Sequence, residues 1–555
     1  MTAYQQAAAS CFFNALLREW PHWTLIRAPE PQFVIRQGAS RLCLPCRHFS
    51  QSGRHLIGYP LQLDDKAVSF DQALAWLLDH PELRALTDAP RSDAFFARVG
   101  QSTAQLRHSL EAAKDKGIFT RDLDFIGAES ALVVGHSIHP CPKARDGFSE
   151  TDNARYSPEG GQSFPLCWYQ VRQERLHQSA PAGIDRDRLL AELAPPVTAQ
   201  QGYSLLPCHP FQHRLWQQDP ALAPLLAKGD LIYLGEDDGQ WRATSSVRAI
   251  WHPKHPWMLK FSLSVRLTNS LRHLQPAEFA RGATLCEVLA AGPLADLERR
   301  YPDFALLREP LGLGILDDQG QLLPQTMVLW RDNPFRGQGA QQVEVLATLL
   351  QDDPDKGLSR LAQRLYQQVD PQNQALLWFA LFLEKAVEPL LYAQAEHGLL
   401  FGAHQQNIVL ALDQGLPAKA WFRDCQGTGF TGLAQTRYGH LQPGFAEASQ
   451  NLLADQMGTK LFSYYLIINA TFNVISSLAG SGLGAEDDYL WQLKAFLKRL
   501  KLRNLSDPQV LDYLLTSPEL WAKGNFRCAL QGINENTMAD PLALYHPMDN
   551  PLIAL

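Results

Sequence analysis

The sequence predicts an α+β protein built in three parts, and the distribution of its patterns along the chain supports this. Residues 1–117 mix helical and short β-type patterns, residues 118–308 are rich in strand patterns, and residues 309–555 are mainly helical. At about 100–200 residues per domain, a chain of 555 residues has room for about three domains. Each part is long enough to bury a core of its own.

The N-terminal part opens on an amphipathic helix pattern, MTAYQQAAASCFFNALLREW, which has no basic residue before Arg18 and so lacks the start of a secretion signal. Short β-type runs follow in WTLIRA, QFVIRQ, RLCLPC and HLIGYPLQL. Apolar residues at helix spacing then predict helices in FDQALAWLLDH and over 92–116. We therefore expect a mixed α/β unit here.

The middle part contains the strand candidates FPLCWYQVRQ, LIYLGE, WRATSSVRAIW and MLKFSLSVRL, separated by loops rich in proline and histidine. Alternate residues of a strand share a face, so the last candidate presents one polar stripe formed by Lys260, Ser262, Ser264 and Arg266. Arg248, Arg272 and the hydroxyls of 268–270 flank this stripe. Such a stripe is either a solvated face or, given the arginine forks, a site for a small polyanion.

The same part begins with a loop, GHSIHPCPKARDG (135–147), that holds two histidines, a lysine and an arginine between prolines and glycines. A stiff basic loop of this kind suits an anionic ligand, although its histidines are also compatible with an ordinary loop. The sequence has no H-E-x-x-H motif to accompany it, which argues against a protease-type zinc site.

The C-terminal part is predicted to be helical in AQQVEVLATLLQ and over 372–397, 446–456, 460–478 and 489–502. One hairpin-like insert interrupts these helices, with a turn at Asp413-Gln414-Gly415. Because a hairpin brings its outer ends together, Asn407 and Asp424 should meet there. Their oxygens suit Mg²⁺ bound with nucleotide phosphates, as in protein kinases, although the kinase glycine-rich loop and H-R-D motif are absent.

Composition excludes several classes of protein. The net charge of −7 argues against a nucleic-acid binder, and the odd number of nine scattered cysteines argues for a reducing cytoplasm rather than a disulfide framework. Cys43-Leu-Pro-Cys46 has no second pair, so we interpret it as structural. The uncharged stretch 461–480 is interrupted by Ser, Thr and Asn, which favours a buried helix over a membrane span. P-loop, Rossmann and G-x-S-x-G motifs are absent.

Seven segments occur in one order along the chain: GHSIHPCPKARDGFS (135–149), LPCHPFQ (206–212), TSSVRA (244–249), KFSLSVRLTNSLR (260–272), AHQQNIVL (403–410), RDCQGTG (423–429) and KGNF (523–526). This set resembles the siderophore synthetases that work independently of non-ribosomal peptide synthetases, the IucA/IucC family. The subtype resembled is type A, which activates a carboxylate of citrate. The resemblance implies a cupped-hand fold with an N-terminal thumb (1–117), β-rich fingers (118–308) and a mainly helical palm (309–555).

The resemblance also implies a reaction and a set of site residues. Citrate would attack Mg-ATP to give citryl-AMP and pyrophosphate, and an amine or hydroxyl would then displace AMP. Residues expected around ATP are Ser246, Arg248, Lys260, Arg272, His404, Asn407 and Asp424, of which Asn407 and Asp424 are nearest the metal. Residues expected around citrate are Thr268, Asn269, Arg272, Gln406 and Lys523, with His136 or His139 closing over it. The expected catalytic group is Lys260, Arg272, His404 and Asp424.

Other readings stay open at this point. They are a synthetase of another subtype acting on a citrate monoamide or α-ketoglutarate, a kinase-like phosphotransferase, and a citrate or siderophore binding protein. The resemblance further implies a homodimer in the cytoplasm with no nucleic-acid or membrane partner. The six cations Lys143, Arg145, Arg248, Lys260, Arg272 and Lys523 are expected to gather around one cleft, and the sequence does not identify the nucleophile.

Overall fold

The apolar side chains of the protein gather into three large cores in this computed structural model, which describes residues 1–533 and 540–555. One core lies in the N-terminal part, one in the β-rich middle and one in the helical part. The chain passes between them more than once, so the cores are interleaved along the sequence.

In the N-terminal core, helices pack on one face of a six-stranded sheet of order β1-β2-β3-β5-β6, with β4 paired to β3. The first helix buries Phe12, Phe13 and Leu16 completely. The predicted helices and strands of this part are confirmed. Their bounds are α1 Ala3–Glu19, β1 Thr24–Ile26, β2 Gln32–Gln37, β3 Ser40–His48, β4 Leu56–Ile57, β5 Leu61–Leu63, β6 Lys66–Val68, α2 Phe70–Leu78, α3 Pro81–Arg84 and α4 Ala89–Ala113.

The middle core lies between a seven-stranded sheet of order β10-β19-β20-β15-β14-β13-β8 and a three-stranded sheet of order β11-β9-β12. A second three-stranded sheet has the order β17-β16-β7. The helices here are α5 Phe125–Ser130, α6 Glu150–Tyr156, α7 Arg186–Ala191, α8 Pro210–Trp216 and α9 Ala223–Lys228. The strands are β7 Arg145–Asp146, β8 Ser163–Phe164, β9 Cys167–Arg172, β10 Leu176–Ser179, β11 Tyr203–Cys208, β12 Leu231–Glu236, β13 Trp241–Ala243, β14 Ala249–Trp251, β15 Trp257–Phe261, β16 Arg266–Leu267, β17 Ser270–Leu271, β19 Leu311–Ile315 and β20 Val328–Asp332.

The predicted polar stripe on one strand is wrong. The strand carrying Lys260 ends at Phe261, and the chain resumes at β16 in a different sheet. Ser262 instead accepts a hydrogen bond from the backbone of Leu274 at 2.8 Å, and Arg266 donates to the carbonyl of Gly532 at 3.2 Å. The hydroxyls between these strands therefore fix the local loop and do not line a common face with Lys260.

Around the domain boundary predicted at residue 308, the chain passes from one core to another and back. Helices α10 and α11 and strand β18 join the helical core, whereas the next strands, β19 and β20, return to the middle sheet. The chain therefore crosses between the two cores at both ends of this segment. The bounds are α10 Pro276–Ala290, α11 Pro293–Arg300 and β18 Phe304–Leu307.

The helical core surrounds a four-stranded sheet of order β18-β26-β25-β21, which contains the predicted hairpin. The strands are β21 Val343–Val345, β22 Asp352–Asp353, β23 Leu358–Ser359, β24 Leu399–Leu400, β25 Ile408–Asp413, β26 Leu416–Arg423, β27 Gly429–Phe430, β28 Glu519–Lys523 and β29 Tyr545–Asp549. The helices are α12 Leu346–Leu350, α13 Arg360–Leu365, α14 Pro371–Phe382, α15 Glu388–His397, α16 Gly432–Tyr438, α17 Asp455–Ser463, α18 Phe472–Gly480, α19 Glu486–Lys501, α20 Gln509–Thr516 and α21 Asn525–Leu530. π-Helical turns, Leu383–Val387 and Tyr464–Thr471, join α14 to α15 and α17 to α18.

Two helix predictions in this part need correction. Residues 343–345 of the predicted helix AQQVEVLATLLQ form β21, because they pair with the hairpin strand β25. The predicted helix over 446–456 does not form before Asp455. Ala446 and Gln450 have φ values of 61° and 49°, which place both in the left-handed region that a right-handed helix cannot contain.

The apolar helix over 455–480 is long enough to cross a membrane, but 89% of its most apolar 18-residue window is buried inside the protein. Its polar side chains find local partners, as when Asn473 donates to the carbonyl of Asn469 at 2.8 Å. It is a core helix, as the interrupting polar residues indicate.

Candidate active site

The hairpin of β25 and β26 brings Asn407 and Asp424 together as predicted. Its turn residues Gln414 and Gly415 have φ values of 49° and 83°, the pair of left-handed conformations that closes a two-residue hairpin. At the open end, the backbone N–H of Arg423 donates to the carbonyl of Asn407 at 3.0 Å. The amide Nδ2 of Asn407 lies 3.4 Å from Oδ2 of Asp424. The two side chains therefore face one small volume at the end of the hairpin.

A lysine from the middle sheet completes this centre. Lys260, in β15, forms an ion pair with Asp424, and its Nζ lies 3.9 Å from Oε1 of Glu309. Arg331, in β20, donates from Nε to Glu309 at 2.8 Å and approaches Asp424 at 3.6 Å. Two buried cations thus share two carboxylates across the junction of sheet and hairpin. Glu309 and Arg331 were not predicted from the sequence. The only sign of them there is that each is a charged residue beside or within an apolar strand pattern.

Burial and charge act in opposite directions on this centre. Burial lowers the pKa of Lys260 despite the neighbouring carboxylates of Asp424 and Glu309. Burial acts to raise the pKa of Asp424, but the charges of Lys260 and Arg331 outweigh it and hold that pKa well below its ordinary range. The charge of Arg248 lowers the pKa of both Lys260 and Asp424, so Arg248 lies within electrostatic reach of the pair. Asp424 is a carboxylate at every physiological pH.

Asn407 and Asp424 offer oxygens that fit a magnesium ion. Nδ2 of Asn407 donates to the carbonyl of Gly402 at 3.0 Å, which leaves Oδ1 as the atom available to a cation. One carboxylate and one amide oxygen match the sparse protein ligation that Mg²⁺ has when phosphates and water fill its other positions. Among the residues described, groups of three His, Cys, Asp or Glu able to hold a metal are absent, so the donor set suits magnesium better than zinc.

His404 lies beside the same amide. Its Nε2 is 3.1 Å from Nδ2 of Asn407, and its Nδ1 is 3.3 Å from the backbone nitrogen of Gln406. Burial lowers the pKa of His404 to about 3, with smaller contributions from the charges of His136 and Lys523. His404 is therefore neutral in the working range, and its polar contacts position the hairpin loop. Because their charges act on His404, His136 and Lys523, both predicted to bind citrate, lie within electrostatic reach of it.

Ser246 and Arg248 lie on a tight loop between β13 and β14. The N–H of Thr244 donates to the carbonyl of Ala249 at 2.9 Å, and Val247 has a φ of 67°. Oγ of Ser246 accepts from the N–H of Ala249 at 3.2 Å. The loop thus has the fixed shape expected of a binding turn, next to the strand that carries Lys260.

A second buried ion pair holds this loop to the hairpin. Glu129, from α5, pairs with Arg423 and accepts from the backbone N–H of Ser245 at 2.8 Å. Arg423 also donates to the carbonyl of Gln406 at 2.8 Å, and the side chain of Gln406 donates to Ser245 at 3.2 Å. Glu129 and Arg423 were not predicted. The sequence could have indicated Arg423, because this residue directly precedes Asp424 in the segment RDCQGTG.

Arg272 and Thr268, predicted to bind citrate, contact each other. Nη2 of Arg272 donates to Oγ1 of Thr268 at 3.0 Å and to the carbonyl of Leu267 at 3.1 Å. Thr268 has a φ of 53°, and its carbonyl accepts from Arg98 of the N-terminal part. Asn269, next in the chain, is buried. The loop is held in a strained conformation by groups from both sides, as binding loops often are.

The basic loop 135–147 divides into two halves. His136 and His139 each accept a backbone hydrogen bond on Nδ1, at 3.1 and 2.9 Å, which fixes both rings. Lys143 and Arg145 instead share the buried carboxylate of Glu159, so these two cations do not serve a ligand as predicted. Burial lowers the pKa of Lys143 to about 8 despite that partner. The histidine half alone is a candidate for substrate contact.

Direct contacts join Lys260, Asp424, Asn407 and His404, and the hydrogen bond of Gln406 to Ser245 links the 244–248 loop to them. Arg272 and Thr268 contact each other in a different loop, and Lys523 lies in β28. Fixed cations and hydrogen-bond donors around a carboxylate and an amide can bind a magnesium–nucleotide complex beside a small polyanion. None of the nine cysteines is among the site residues, and all nine thiols are buried. Burial raises the pKa of Cys46 to about 11, so that thiol stays protonated.

Comparison with known proteins gives consistent matches. The sequence profile of the IucA/IucC family matches residues 124–351, and a profile described as ferric iron reductase FhuF-like transporter matches residues 376–538. An N(2)-citryl-N(6)-acetyl-N(6)-hydroxylysine synthase of Vibrio mimicus is 35% identical, covering 99% of this chain and 95% of the relative. The synthase of the same name from Escherichia coli is 31% identical, covering 99% of this chain and 97% of the relative.

Among solved structures, ATP-bound aerobactin synthetase IucA from Klebsiella pneumoniae superposes with a TM-score of 0.91 at 30% identity, covering 99% of this chain and 100% of that one. Fold and site together define a ligase of the class of siderophore synthetases that work without a peptide synthetase template. Within that class, the chain belongs to the IucA/IucC family.

Proposed function

We propose that this protein is an ATP-dependent ligase that adenylates a carboxylate of citrate and condenses the product with an amine in siderophore biosynthesis. The relatives named above, which join citrate to an acetylated hydroxylysine, support an amine as the nucleophile and citrate as the acid. The observation that carries the proposal is the buried contact of Lys260 with Asp424, which joins the cation-bearing sheet to the hairpin.

In the first step, a citrate carboxylate oxygen attacks the α-phosphorus of ATP. The new O–P bond forms as the bond to the bridging oxygen breaks, and pyrophosphate leaves with the electron pair. Negative charge grows on the phosphoryl oxygens, so fixed cations in a partly dry site lower the barrier. Lys260 and Arg248 are assigned to these oxygens, and Ser246 is assigned to a hydrogen bond with the phosphates.

Magnesium would be held by Asp424 and Asn407 and would supply charge neutralisation on the phosphate chain. Because Lys260 and Arg331 keep the pKa of Asp424 low, that carboxylate needs no deprotonation before it serves as a ligand. His404, which is neutral, orients Asn407 through their contact. Arg272 is assigned to a citrate carboxylate, beside Thr268, Asn269, Gln406 and Lys523, with His136 or His139 closing over the ligand.

In the second step, the amine nitrogen attacks the carbonyl carbon of citryl-AMP. A C–N bond forms, the C–O bond to phosphate breaks, AMP leaves with the electron pair, and the amine proton passes to water. This step needs no enzyme nucleophile. We further propose that the protein is cytoplasmic and forms a homodimer. We also propose that each protomer has a thumb, fingers and a palm, with residues 311–332 in the fingers.

The products distinguish this proposal from its main rival. With citrate, an amine and Mg-ATP, we expect AMP and pyrophosphate in equal amounts and an amide detectable by mass. A kinase-like phosphotransferase would release ADP, and citrate-dependent ADP formation would refute the proposal. A citrate or siderophore binding protein would turn over no ATP.

Arg272→Ala tests the citrate assignment. Removing the guanidinium deletes the expected carboxylate contact, so citrate-dependent pyrophosphate release should fall at least about a hundredfold, since a charged hydrogen bond is worth roughly 1.5–3 kcal/mol and catalysis adds to it. The exposed Arg299→Ala is the matched control and should leave the rate unchanged. Unaltered turnover in a folded Arg272→Ala protein rules out the assigned role.

A further inference from the structure

Glu309 places a second carboxylate beside the Lys260–Asp424 ion pair. It is almost fully buried and follows β18, where the chain passes from the four-stranded sheet of the hairpin to the seven-stranded sheet. β18 runs parallel to β26, with Leu307 opposite Arg423. Glu309 and Asp424 lie just beyond these two positions, so both leave the same end of this pair of strands. The two carboxylates therefore reach one small volume from neighbouring strand ends.

The opposite charges come from the seven-stranded sheet. Lys260 lies in β15, the strand paired with β20, which carries Arg331. Arg331 donates from Nε and Nη2 to a single oxygen of Glu309, Oε1, at 2.8 and 2.5 Å. Nζ of Lys260 is 3.9 Å from that same oxygen, beyond hydrogen-bond length, because the ammonium is paired with Asp424. One carboxylate thus holds the arginine and the other holds the lysine.

The second oxygen of Glu309 is a spare acceptor. Oε2 is buried, and it accepts no hydrogen bond from any residue that the structure describes. A buried carboxylate oxygen without a donor costs free energy. Helix α10 packs directly on this segment, since a Cβ on Gly282 would come within 2.9 Å of the carbonyl oxygen of Glu309. The protein therefore keeps an unsatisfied acceptor in a fixed place next to Lys260.

We propose that Glu309 is a positioning residue that receives Lys260 when Asp424 becomes a ligand of magnesium. The inference rests on the proposed function, because it uses the metal–nucleotide complex assigned there. In the free protein the ammonium of Lys260 pairs with Asp424. When the complex binds, Lys260 gives up Asp424 and donates one N–H to Glu309, and its other two N–H groups donate to phosphoryl oxygens. Lys260 changes its hydrogen-bond partner and keeps its proton.

The balance of charge explains why a second acceptor is needed. Lys260 is too deeply buried to turn to water once Asp424 is engaged elsewhere. With no other carboxylate nearby, the ammonium would stay at Asp424 and compete with the metal for its oxygens. Glu309 removes that competition, because the exchange of acceptors needs a movement of only about 1 Å from the present distance of 3.9 Å.

Binding of ATP to the full-length protein, with magnesium or with EDTA, tests this inference. In Glu309→Gln the amide keeps the shape of the side chain but cannot balance the ammonium. We expect the Kd for Mg-ATP, measured by calorimetry, to rise at least about tenfold, which is the worth of one charge-assisted hydrogen bond. The Kd for ATP in EDTA should be unchanged, because Lys260 keeps Asp424 when no metal competes for it.

A double-mutant cycle excludes a second route to the same loss. Nη2 of Arg331 lies 3.6 Å from Asp424 and would be free to pair with it once Glu309 is neutral. In the Lys260→Met background, Glu309→Gln should have no further effect on the Kd for Mg-ATP. A further loss in that background would show that the effect does not pass through the lysine, and would overturn the inference.

Glu344→Gln is the matched control. Glu344 is also a buried carboxylate that binds two cations, Arg360 and Arg364 of α13, and its substitution should leave both Kd values unchanged. A purely structural role for Glu309 predicts that Glu309→Gln weakens binding equally with and without magnesium, or in neither case. Either result overturns the inference.

If Glu309→Gln does not fold, Glu309→Asp replaces it. This variant keeps a charge for Arg331 but withdraws the carboxylate from Lys260 by one methylene. It should raise the Kd for Mg-ATP at least about threefold and leave the Kd in EDTA unchanged, and an unaltered Kd for Mg-ATP refutes the inference. A wild type without citrate-dependent ATP–pyrophosphate exchange would refute the proposed function itself, so the two failures are distinguishable.

Discussion

At the scale of single residues, the site depends on how buried charges are balanced. Lys260 is 3% exposed and Glu309 is 1% exposed, and each is tolerated only because a partner of opposite charge lies beside it. Binding of a magnesium–nucleotide complex would take Asp424 from Lys260 and give the lysine a phosphate instead. On the proposed mechanism, the ion pair holds Lys260 in position for the phosphates before the nucleotide binds.

His404 offers a test at this scale. Its pKa of about 3 lies below that of a histidine in the unfolded chain, near 6.5, so the unfolded chain binds more protons between these values and stability rises with pH there. Lowering the pH from 7 to 5 should therefore cost the wild type about 1–2 kcal/mol more than His404→Gln. Urea unfolding at both pH values measures the difference.

The comparison needs a control because other histidines are also buried. His252, whose pKa burial lowers to about 4, lies in the middle core, and His252→Gln should relieve the acid loss by a similar or smaller amount without affecting citrate-dependent exchange. If His404→Gln loses as much unfolding free energy between pH 7 and pH 5 as the wild type, then His404 is not held neutral in the folded protein.

Residue types and spacing predicted the meeting of Asn407 and Asp424, because a hairpin fixes that contact from the sequence alone. They did not predict Glu309 or Arg331, whose partners lie in other strands and depend on sheet order. Lys143 was wrongly assigned to a ligand, since its carboxylate partner Glu159 comes sixteen residues later with no local signal. Local geometry is readable from one sequence, whereas the pairing of distant charges is not.

At the scale of elements, Glu19 caps α21. This last residue of α1 accepts hydrogen bonds from the backbone N–H groups of Phe526 and Arg527, at 2.6 and 2.8 Å. Asn525, the first residue of that helix, donates to the carbonyl of Ile138 at 2.8 Å. The end of the chain that carries Lys523 is thus tied to α1 and to the histidine loop at once.

Glu19→Gln tests this cap. Burial raises the pKa of Glu19 to about 8, well above that of an unfolded glutamate, so the folded protein binds the extra proton between about pH 4.5 and 8 and loses stability as pH rises through that range. Relative to the variant, the wild type should lose at least about 2 °C in melting temperature between pH 5 and 8.

In Glu19→Gln the side-chain amide has no titrating proton, but its oxygen can still accept the hydrogen bonds from α21. The exposed Glu82→Gln is the matched control and should follow the wild type. Parallel pH profiles for wild type and Glu19→Gln would show that the carboxyl is not protonated in the folded state.

Most strands bounded by turns were predicted, and so were the long helices. WRATSSVRAIW and MLKFSLSVRL, each predicted as one strand, are broken at residues 244–248 and 262–265. The errors fall where tertiary contacts decide, as at 343–345, which became a strand because β25 offers an unpaired edge. The helix predicted over 446–456 is absent before Asp455 for another reason. Ala446 and Gln450 have left-handed φ values but are not glycines, so the sequence does not indicate that conformation.

At the scale of the whole molecule, the pair of Glu129 and Arg423 joins the middle part to the hairpin, and both side chains are at most 3% exposed. Glu129→Gln would leave the guanidinium buried without a counter-charge, which costs about 3–5 kcal/mol. We expect urea unfolding to show a free energy of unfolding lower by that amount, and we expect a lower rate of citrate-dependent exchange, since Ser245 and Gln406 share the network.

The control for this prediction is Asp122→Asn. Asp122 pairs with Arg364 but is 66% exposed, so its loss should cost less than about 1 kcal/mol. If the two substitutions lower the free energy of unfolding equally, the buried pair of Glu129 and Arg423 contributes no more stability than the exposed pair.

The position of α21 also affects how the protein is made. Phe526, Ala529 and Leu530 complete the core that α1 begins, although about five hundred residues separate them in the chain. During synthesis the N-terminal core stays unfinished until the residues up to Leu530 have left the ribosome. A product cut short before residue 525 would therefore expose apolar surface on its first domain, and premature termination would be visible to chaperones and proteases at the N-terminus as well as at the missing end.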